Sequence, residues 1–350
     1  MINYFSISDF FDILQVKGDS QAKLLTSGEQ PLVTAQVGDN GIIKFVADGG
    51  EDSILFSGGL VTVDMFGKAN FQPHEFYSAS HGHVNILKPK DALSPDVLRY
   101  ICASITKSMD GKFSFANMCT QSRLLNQRFY LPSADGSVPD FQQINDYVDG
   151  LIAKKKKSYL DFVTRSLDDL RGVDSSIPSM EEKEWGEFKM EDIFDIKPGT
   201  RLTTADMASG DRPFIGASDS NNGITNFVNN TNESLDQNVL GLNYNGSICE
   251  AFYHPYECIF SDDVKRLHLK CGHDNKYVFL FIKTVILKQK GKYTYGYKFN
   301  EPRMRRQSIM LPLTSDGKNP DWLWMEEFSK KELLKKYQSY ISYQSGCTTE

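Results

Sequence analysis

Apolar positions along this chain follow two periods in turn, and the pair runs through twice. Short apolar stretches broken by turn residues come first: "PLVTAQVGDNGIIKFV" at 31–46 and "PFIGASDSNNGITNFV" at 213–228. Within them "GDNG" (38–41) and "DSNNG" (219–223) offer residues suited to positive φ, so strand–turn–strand is predicted. A helical period follows in "SPDVLRYICASITKSM" (94–109) and "DNKYVFLFIKTVILKQK" (274–290). Each half then ends on a longer helical pattern. Ile144, Val148 and Leu151 share one face. After a break at Lys154–Lys157, Tyr159, Val163, Leu167 and Leu170 resume it at 4-4-3 spacing. The pattern predicts a helix from Phe141 to about Leu170, roughly 45 Å long at 1.5 Å per residue. Trp322, Met325, Leu334, Tyr337 and Ile341 mark the second. Asp140 and Asp321 each follow a proline, where an N-cap belongs. Both stripes are narrow enough for a helix-to-helix seam; the plainer reading packs each helix on its own domain.

The two runs are a tandem duplication of one whole unit. "FDI" at 11–13 recurs at 194–196, and "LPSADGSVPDF" at 131–141 recurs as "LPLTSDGKNPDW" at 311–322. "GKFSFANMCTQSRLLNQRFYLP" (111–132) returns as "GKYTYGYKFNEPRMRRQSIMLP" (291–312), with Gly111, Lys112, Arg123, Gln127, Leu131 and Pro132 repeated as Gly291, Lys292, Arg303, Gln307, Leu311 and Pro312. The order of matched blocks never changes. The division expected is a globular domain over 1–139, a helix over 140–172, the polar linker "VDSSIPSMEEKE" over 173–184, a second globular domain over 185–320 and a C-terminal helix over 321–345. The class is α+β.

Bulk properties and motifs remove several functions. The 350 residues are enough for two domains. No run approaches the length of a membrane span, and "MINYFSISDFFDILQV" has neither the basic nor the apolar region of a secretory signal. Six cysteines without a CxxC pair read as reduced thiols of a cytoplasmic protein, mostly buried. There is no GxxxxGK[ST] and no GxGxxG. The cofactor loop and the Asn-Pro-Pro-aromatic motif of amino-methyltransferases are also missing. Glu181-Glu182-Lys183 matches half of a nuclease site, but no Pro-Asp lies upstream on a nearby strand. Cys249, His254, Cys258, His268, Cys271 and His273 lie close together in one copy, and His74, His81 and His83 in the other. The clusters do not correspond, so they read as core or surface residues rather than zinc ligands. No metal site and no catalytic residue is expected.

Charge changes the picture more. Residues 283–306 hold eight Lys/Arg against one acid, Glu301: a local balance of +7 in a chain of −6, leaving −13 on the remainder. Segregation of this kind suits neutralisation of a DNA backbone. Lys292, Lys298, Arg303, Arg305 and Arg306, with Lys112, Arg123 and Arg128 in the first copy, are the candidates to hold phosphates or bases. Tyr293, Tyr295 and Tyr297 interleave with them, and Asn117 stands at the corresponding place in copy one. Tyrosine hydroxyls bond phosphate oxygens and their rings pack on sugars. Polar loops supply candidate base contacts: Gln36 and Asn40 in the first copy; Ser218, Asn221, Asn222, Asn243, Tyr244 and Asn245 in the second. Turn chemistry alone also explains Asn-Gly at these points, and a solvated basic turn with core aromatics is the bland reading of 283–306.

"FIGASDSNNGITNFV", "NGSICEAFYHPYE", "FSDDVKRL", "KYTYGYKFNEPRMRRQSIMLP" and "DGKNPDWLWME" resemble the target recognition domain and following helix of restriction-modification specificity (S) subunits. The likeness covers most of 185–345 and, more loosely, copy one. The ending is most similar to the BcgI-like type IIB branch, with the type I S subunit (HsdS) the close alternative. The resemblance implies two tandem target recognition domains, separated by two long helices packed as an antiparallel coiled coil. Each domain would read half of a split, asymmetric DNA target. The partner implied is a DNA methyltransferase or a fused restriction-methylation subunit, which would bring S-adenosylmethionine and Mg; this chain would hold no cofactor. Copy one departs from the pattern with Phe113, Phe115 and Asn117 for the tyrosines, and with Leu125 and Asn126 for Arg305 and Arg306. Two other readings stay open at this point: a standalone interaction protein or inhibitor that docks on a methyltransferase without reading DNA, and a metal-dependent nuclease.

Overall fold

The computed structural model describes residues 1–17, 21–36, 38–79, 83–173, 176–294, 296–344 and 346. The chain divides into two units, Met1–Tyr159 and Leu160–Glu350. The division falls inside one uninterrupted helix, Phe141–Asp169. Among the described residues no helix is long and apolar enough to cross a membrane.

In the first unit, strand Ile2–Ser6 pairs antiparallel with Arg128–Pro132, in register from Ile2–Pro132 to Ser6–Arg128. An antiparallel sheet follows in the order Phe11–Leu14, Val84–Pro89, Leu60–Asp64, Ala69–Gln72. A second sheet has the order Ile42–Val46, Ser27–Val33, Phe76–Ser78, Leu55–Phe56, with Ser27–Val33 and Phe76–Ser78 parallel. Strand Leu60–Asp64 is buried at all five residues, its two polar side chains included: Asp64 accepts the Phe66 and Lys68 amides and Thr62 accepts from Gln72. Arg128–Pro132 covers one face only and alternates. Helix Pro95–Met109 starts at Ser94, whose hydroxyl accepts the Val97 amide at 3.2 Å, with proline in the first turn. It buries Leu98, Ile101, Cys102 and Ile105 against Phe5, Phe129, Leu131 and Ile144.

The second unit repeats this plan. Trp185–Lys189 pairs with Ser308–Pro312. Phe194–Pro198, Val264–Leu269, Val239–Asn243 and Ala251–His254 form the four-stranded sheet, and Ile224–Val228, Ser209–Ile215 and Ile259–Phe260 the smaller one. The edge strand Leu55–Phe56 of the first unit is reduced here to a single bridge, Asp236 to Cys258. Helix Lys276–Leu287 is capped by Asn275, which accepts the amides of Tyr277 and Val278, both at 3.0 Å. The turns before "GI" have positive φ at Asn40 (55°), Gly41 (76°), Asn222 (56°) and Gly223 (74°), a region open to Asn and Gly and costly for branched residues.

The long helices start alike. Asp140 Oδ1 accepts the Gln143 amide at 2.9 Å and Asp321 Oδ1 the Trp324 amide at 3.0 Å. Each Asp amide donates in turn to the carbonyl of the proline that closes the preceding strand, Pro132 or Pro312, at 2.8 Å. The helix runs unbroken through the four lysines, which are exposed. Its apolar stripe is what breaks. Ile144 and Val148 belong to the first unit's core, while Val163, Leu167 and Leu170 cluster with Leu333, Leu334, Tyr337 and Ile341 of the helix Trp322–Gln344. Leu151 and Tyr159, expected on the stripe, are 46% and 44% exposed at the changeover. Both readings of the stripes therefore hold, each for half a helix: Trp324 and Met325 pack on their own unit's core, and the later turns form the seam. Within that seam the Phe162 ring meets Tyr337 edge-on at 6.0 Å. Seven residues on, Asp169 acts on Tyr277, whose ring carries Lys330 at 5.4 Å; burial first, then Asp169, raises the Tyr277 hydroxyl. Rising numbers on one helix meet falling numbers on the other, so the pair is antiparallel.

Ile144 is fully buried. Ile144→Ala is expected to lower stability by about 2–5 kcal/mol, the range for truncating a buried isoleucine. Leu151→Ala, seven residues along the same helix, is expected to change it by no more than about 0.5 kcal/mol, as for an exposed position. Urea midpoints of the two variants check the contrast.

Candidate nucleic-acid interface

The repeated aromatic-basic segment takes one shape in both units. A short hairpin forms, with bridges Ser114–Asn117 and Thr294–Tyr297. A brief helix follows, Gln121–Leu125 or Glu301–Arg306. The matched arginines clasp it: Arg123 Nη1 donates to the Met118 carbonyl at 2.9 Å, and Arg303 Nη1 to the Lys298 carbonyl at 2.7 Å. Leu124 and Met304 anchor the helices in their cores. The matched glutamines close the segment, their carbonyls accepting the amides of Ile7 (3.1 Å) and Met190 (2.9 Å). In copy one Lys112 Nζ reaches Gln127 Oε1 at 3.3 Å, Asn117 Nδ2 donates to the Lys112 carbonyl, and Arg128 lies over the Tyr4 ring at 5.5 Å.

In copy two the Tyr293 and Tyr297 rings are nearly parallel, at 7°, with centroids 5.9 Å apart. Arg303 stands 3.7 Å over the Tyr297 ring, which is half exposed. The Tyr293 hydroxyl donates to Gln307 Oε1 at 2.7 Å, and burial pushes its pKa up to about 12. Tyr295 lies outside the described residues. The cations divide into two sets. Arg305 forms an ion pair with Glu301 at 2.7 Å, and Lys265 holds the same carboxylate at 2.8 Å. These contacts, Lys265 first, keep Glu301 below the usual carboxylate range although burial opposes it. Lys290 pairs with Glu250 at 2.5 Å. Lys292 and Arg306 are exposed.

Three segments of the second unit converge on this hairpin. Lys265, paired with Glu301, also lies 5.4 Å over the Tyr244 ring. Lys290 is held protonated by Glu250 first and, at longer range, by Asp219 of the polar loop. Asn243 Nδ2 donates to the Ser218 carbonyl at 3.0 Å, tying the 218–222 and 243–245 loops together. Several proposed readers thus have structural partners. Asn243 is 1% exposed, because it ends a central strand. Asn245 Nδ2 donates to Asp263 Oδ1 at 2.8 Å. Asn40 and Asn222 turn inward at matching positions, Asn40 to the Phe71 carbonyl (2.7 Å) and Asn222 to the Tyr256 hydroxyl (3.0 Å) and Tyr253 carbonyl (3.5 Å). Gln36 Nε2 donates to the Ile42 carbonyl at 3.2 Å. Ser218 Oγ meets Ser220 Oγ at 3.1 Å, and Asn221 is exposed. In the first unit the hairpin turn at Phe66 meets the basic segment through an edge-on contact with Phe115 at 5.1 Å. Phe66, Lys265 and Glu250 carry no signal in the sequence pattern; only strand pairing brings them here.

Cys249, Cys258 and His254 are buried in the packing of the second unit. Burial pushes the Cys249 and Cys258 thiols up to about 12 and His254 down to about 4. Among the described residues no three His, Cys, Asp or Glu side chains gather as a metal ion needs; His81 lies outside them. His268 instead joins a polar network that sequence reasoning missed. Its Nδ1 meets Asp274 Oδ2 at 2.7 Å and its Nε2 meets Asp236 at 3.2 Å, while Arg266 pairs with Asp236 at 2.8 Å. Asp236, then Asp274, raise His268 to about 9.

With this geometry in hand, comparison with known proteins is direct. The family model described as the type I restriction modification DNA specificity domain matches twice, at residues 2–158 and 182–340. The chain belongs to this family. It is a specificity subunit of a restriction-modification system, and its duplication is two copies of the DNA specificity domain. It is 42% identical over 327 residues to the specificity subunit S.BcgI of a type II restriction enzyme from Heyndrickxia coagulans, covering 93% of this chain and 92% of that one. Among solved structures it aligns with a type I restriction-modification S subunit from M. genitalium at TM-score 0.48 and 13% identity, over 99% of this chain and 93% of that one. It also aligns with an HsdS subunit from Thermoanaerobacter tengcongensis at TM-score 0.33 and 10% identity, over 100% and 92%.

The His268 network gives this specificity subunit a pH dependence of definite sign. A histidine raised by folding stabilises fully below its unfolded pKa, about 6.5, and loses that contribution as pH rises through the folded value of about 9. Stability is therefore expected to fall between about pH 6.5 and 9, and His268→Gln to flatten that part of the profile. Denaturant midpoints of both proteins across this window decide it.

Proposed function

We propose that this specificity subunit binds double-stranded DNA through the two aromatic-basic hairpins and their neighbouring loops, each unit reading one half of a split, asymmetric target. The observation that carries the reading is the recurrence of one cationic hairpin on one frame, beside loops that differ between the copies. A shared frame suits the backbone, which is the same at both half-sites; divergent loops suit bases, which are not. Lys112, Arg123, Arg128, Lys292, Lys298, Arg303 and Arg306 are the proposed phosphate or base contacts, with Tyr293 and Tyr297 packing on sugars. Ser218, Ser220 and Asn221 present polar groups for readout in the second unit. Arg305, Asn40, Asn222, Asn243 and Asn245 set the shape of the surface. The bond-making belongs to a partner, a DNA methyltransferase or fused restriction-methylation subunit, which holds S-adenosylmethionine and Mg. The 42% likeness to a type II specificity subunit favours a system of that kind.

Sequencing the methylome of cells with and without the gene tests this directly. One bipartite methylated motif is expected to vanish with the gene; an unchanged methylome overturns the reading. The helix Phe141–Asp169 is the proposed spacer. Its 29 residues make about 44 Å, roughly 13 base pairs at 3.4 Å each. Inserting about two turns, roughly seven residues, among the exposed lysines at 154–157 is expected to lengthen the gap by about three base pairs and leave the half-site letters alone. A mapped motif with the original gap rejects the spacer role.

A further inference from the structure

Within the second unit's hairpin lies a cleft of about 360 Å³, lined by Lys292, Tyr293, Tyr297, Arg303, Arg306, Gln307 and Ser308. Three cationic groups, three hydroxyls and one amide line it, from Lys, Arg, Tyr, Ser and Gln side chains, and no carboxylate does. The one acid of the segment, Glu301, is turned to Lys265 and Arg305. Among the described residues neither Lys292 nor Arg306 forms an ion pair. Arg303 is held in place rather than neutralised: one nitrogen is bonded to the Lys298 carbonyl and its plane lies over the Tyr297 ring. An acid-free concavity with a positioned guanidinium and two further cations is built for an anion that brings several acceptor oxygens.

The first unit lacks this arrangement at the matching residues. Lys112 and Arg123 remain, but Asn117 stands for Tyr297 and Asn126 for Arg306. Both asparagine amides turn back onto their own backbone, to the carbonyls of Lys112 and Ser122, each at 3.0 Å. Arg123 therefore has no Tyr297 counterpart beneath it, and the second arginine of the segment, Arg128, stands at the position of Ser308 and lies over the Tyr4 ring instead.

The geometry points to the cleft between Lys292 and Arg306 as the seat of one DNA backbone phosphate, a sequence-independent contact within the second unit. The inference rests on the DNA-binding reading above and deepens it. Each phosphate neutralised releases counterion and adds about 0.9 to the slope of log affinity against log salt. A lost contact thus changes the loss of affinity between 50 and 200 mM salt by about three- to fourfold. The experiment uses the complex assembled with its partner, and two labelled duplexes of equal length: one carrying the motif recovered from the methylome, one unrelated. Arg306→Gln and Lys292→Gln are each expected to lower the salt slope by about one on both duplexes and to leave the methylated motif unchanged. Lys154→Gln, on the exposed face of the long helix, serves as the control and is expected to keep the slope. Unchanged slopes in both cleft variants overturn the inference. So does a variant that alters the motif at one base position, since the residue then reads a base. If the unaltered complex binds neither duplex, the DNA-binding reading itself falls; if it binds and only the variants fail to respond, the cleft alone is rejected.

Discussion

Each unit is closed by five residue pairs between its first strand and the strand that follows its basic segment: Ile2–Ser6 with Arg128–Pro132, and Trp185–Lys189 with Ser308–Pro312. The partners are more than a hundred residues apart in sequence, so loop-closure entropy opposes the contact. What offsets it is burial of Phe129 and Leu131, or Ile309 and Leu311, on the inner face. The pairing also sets the neighbours. It brings the amides of Ile7 and Met190 to the glutamine carbonyls that end the basic hairpin, and it brings Pro132 and Pro312 under the aspartates that start the long helices. Hairpin, strand and helix are one mechanical unit, which accounts for the repetition of Gln, Leu, Pro and Asp at those positions.

On that frame, charge is sorted rather than merely accumulated. Lys265, Glu301 and Arg305 hold the short helix to the sheet, and Lys290 holds the hairpin to Glu250. The remaining cations have no structural duty of this kind at Lys292 and Arg306. Partly exposed pairs of this sort contribute modestly to stability, but they orient the hairpin. The copies differ most where this sorting differs, at the tyrosines and at the two adjacent arginines, Arg305 and Arg306, which are Leu125 and Asn126 in the first copy.

Much of the fold was legible. The helical period located the longer helices, and apolar stretches around Asn-Gly located the strand–turn–strand segments, because those signals depend on local backbone geometry. The duplication was legible too, since two copies of one pattern support each other. The site was less so. Arg305 and Arg306 are adjacent and alike in sequence, yet about 100° of helical rotation separates them: one meets Glu301, the other faces out. Asn243 looked like a loop reader but ends a central strand, where its side chain is buried and bonded to the Ser218 carbonyl. Asn40 and Asn222 were rightly placed in turns, but their amides point inward to carbonyls supplied by a neighbouring hairpin.

The amino-acid sequence by itself determined the duplication, the order of elements within each copy, and the concentration of positive charge on one segment. All three follow from residue type and spacing along the chain. Tertiary structure alone decided which cations face solvent and which hold Glu301 or Glu250. It also split the long helix's apolar stripe between two cores and gathered two loops and a strand around the basic hairpin. Those outcomes depend on strands brought together from distant parts of the chain, and the energy of a charge or an amide is set by what packs against it, which no local pattern encodes.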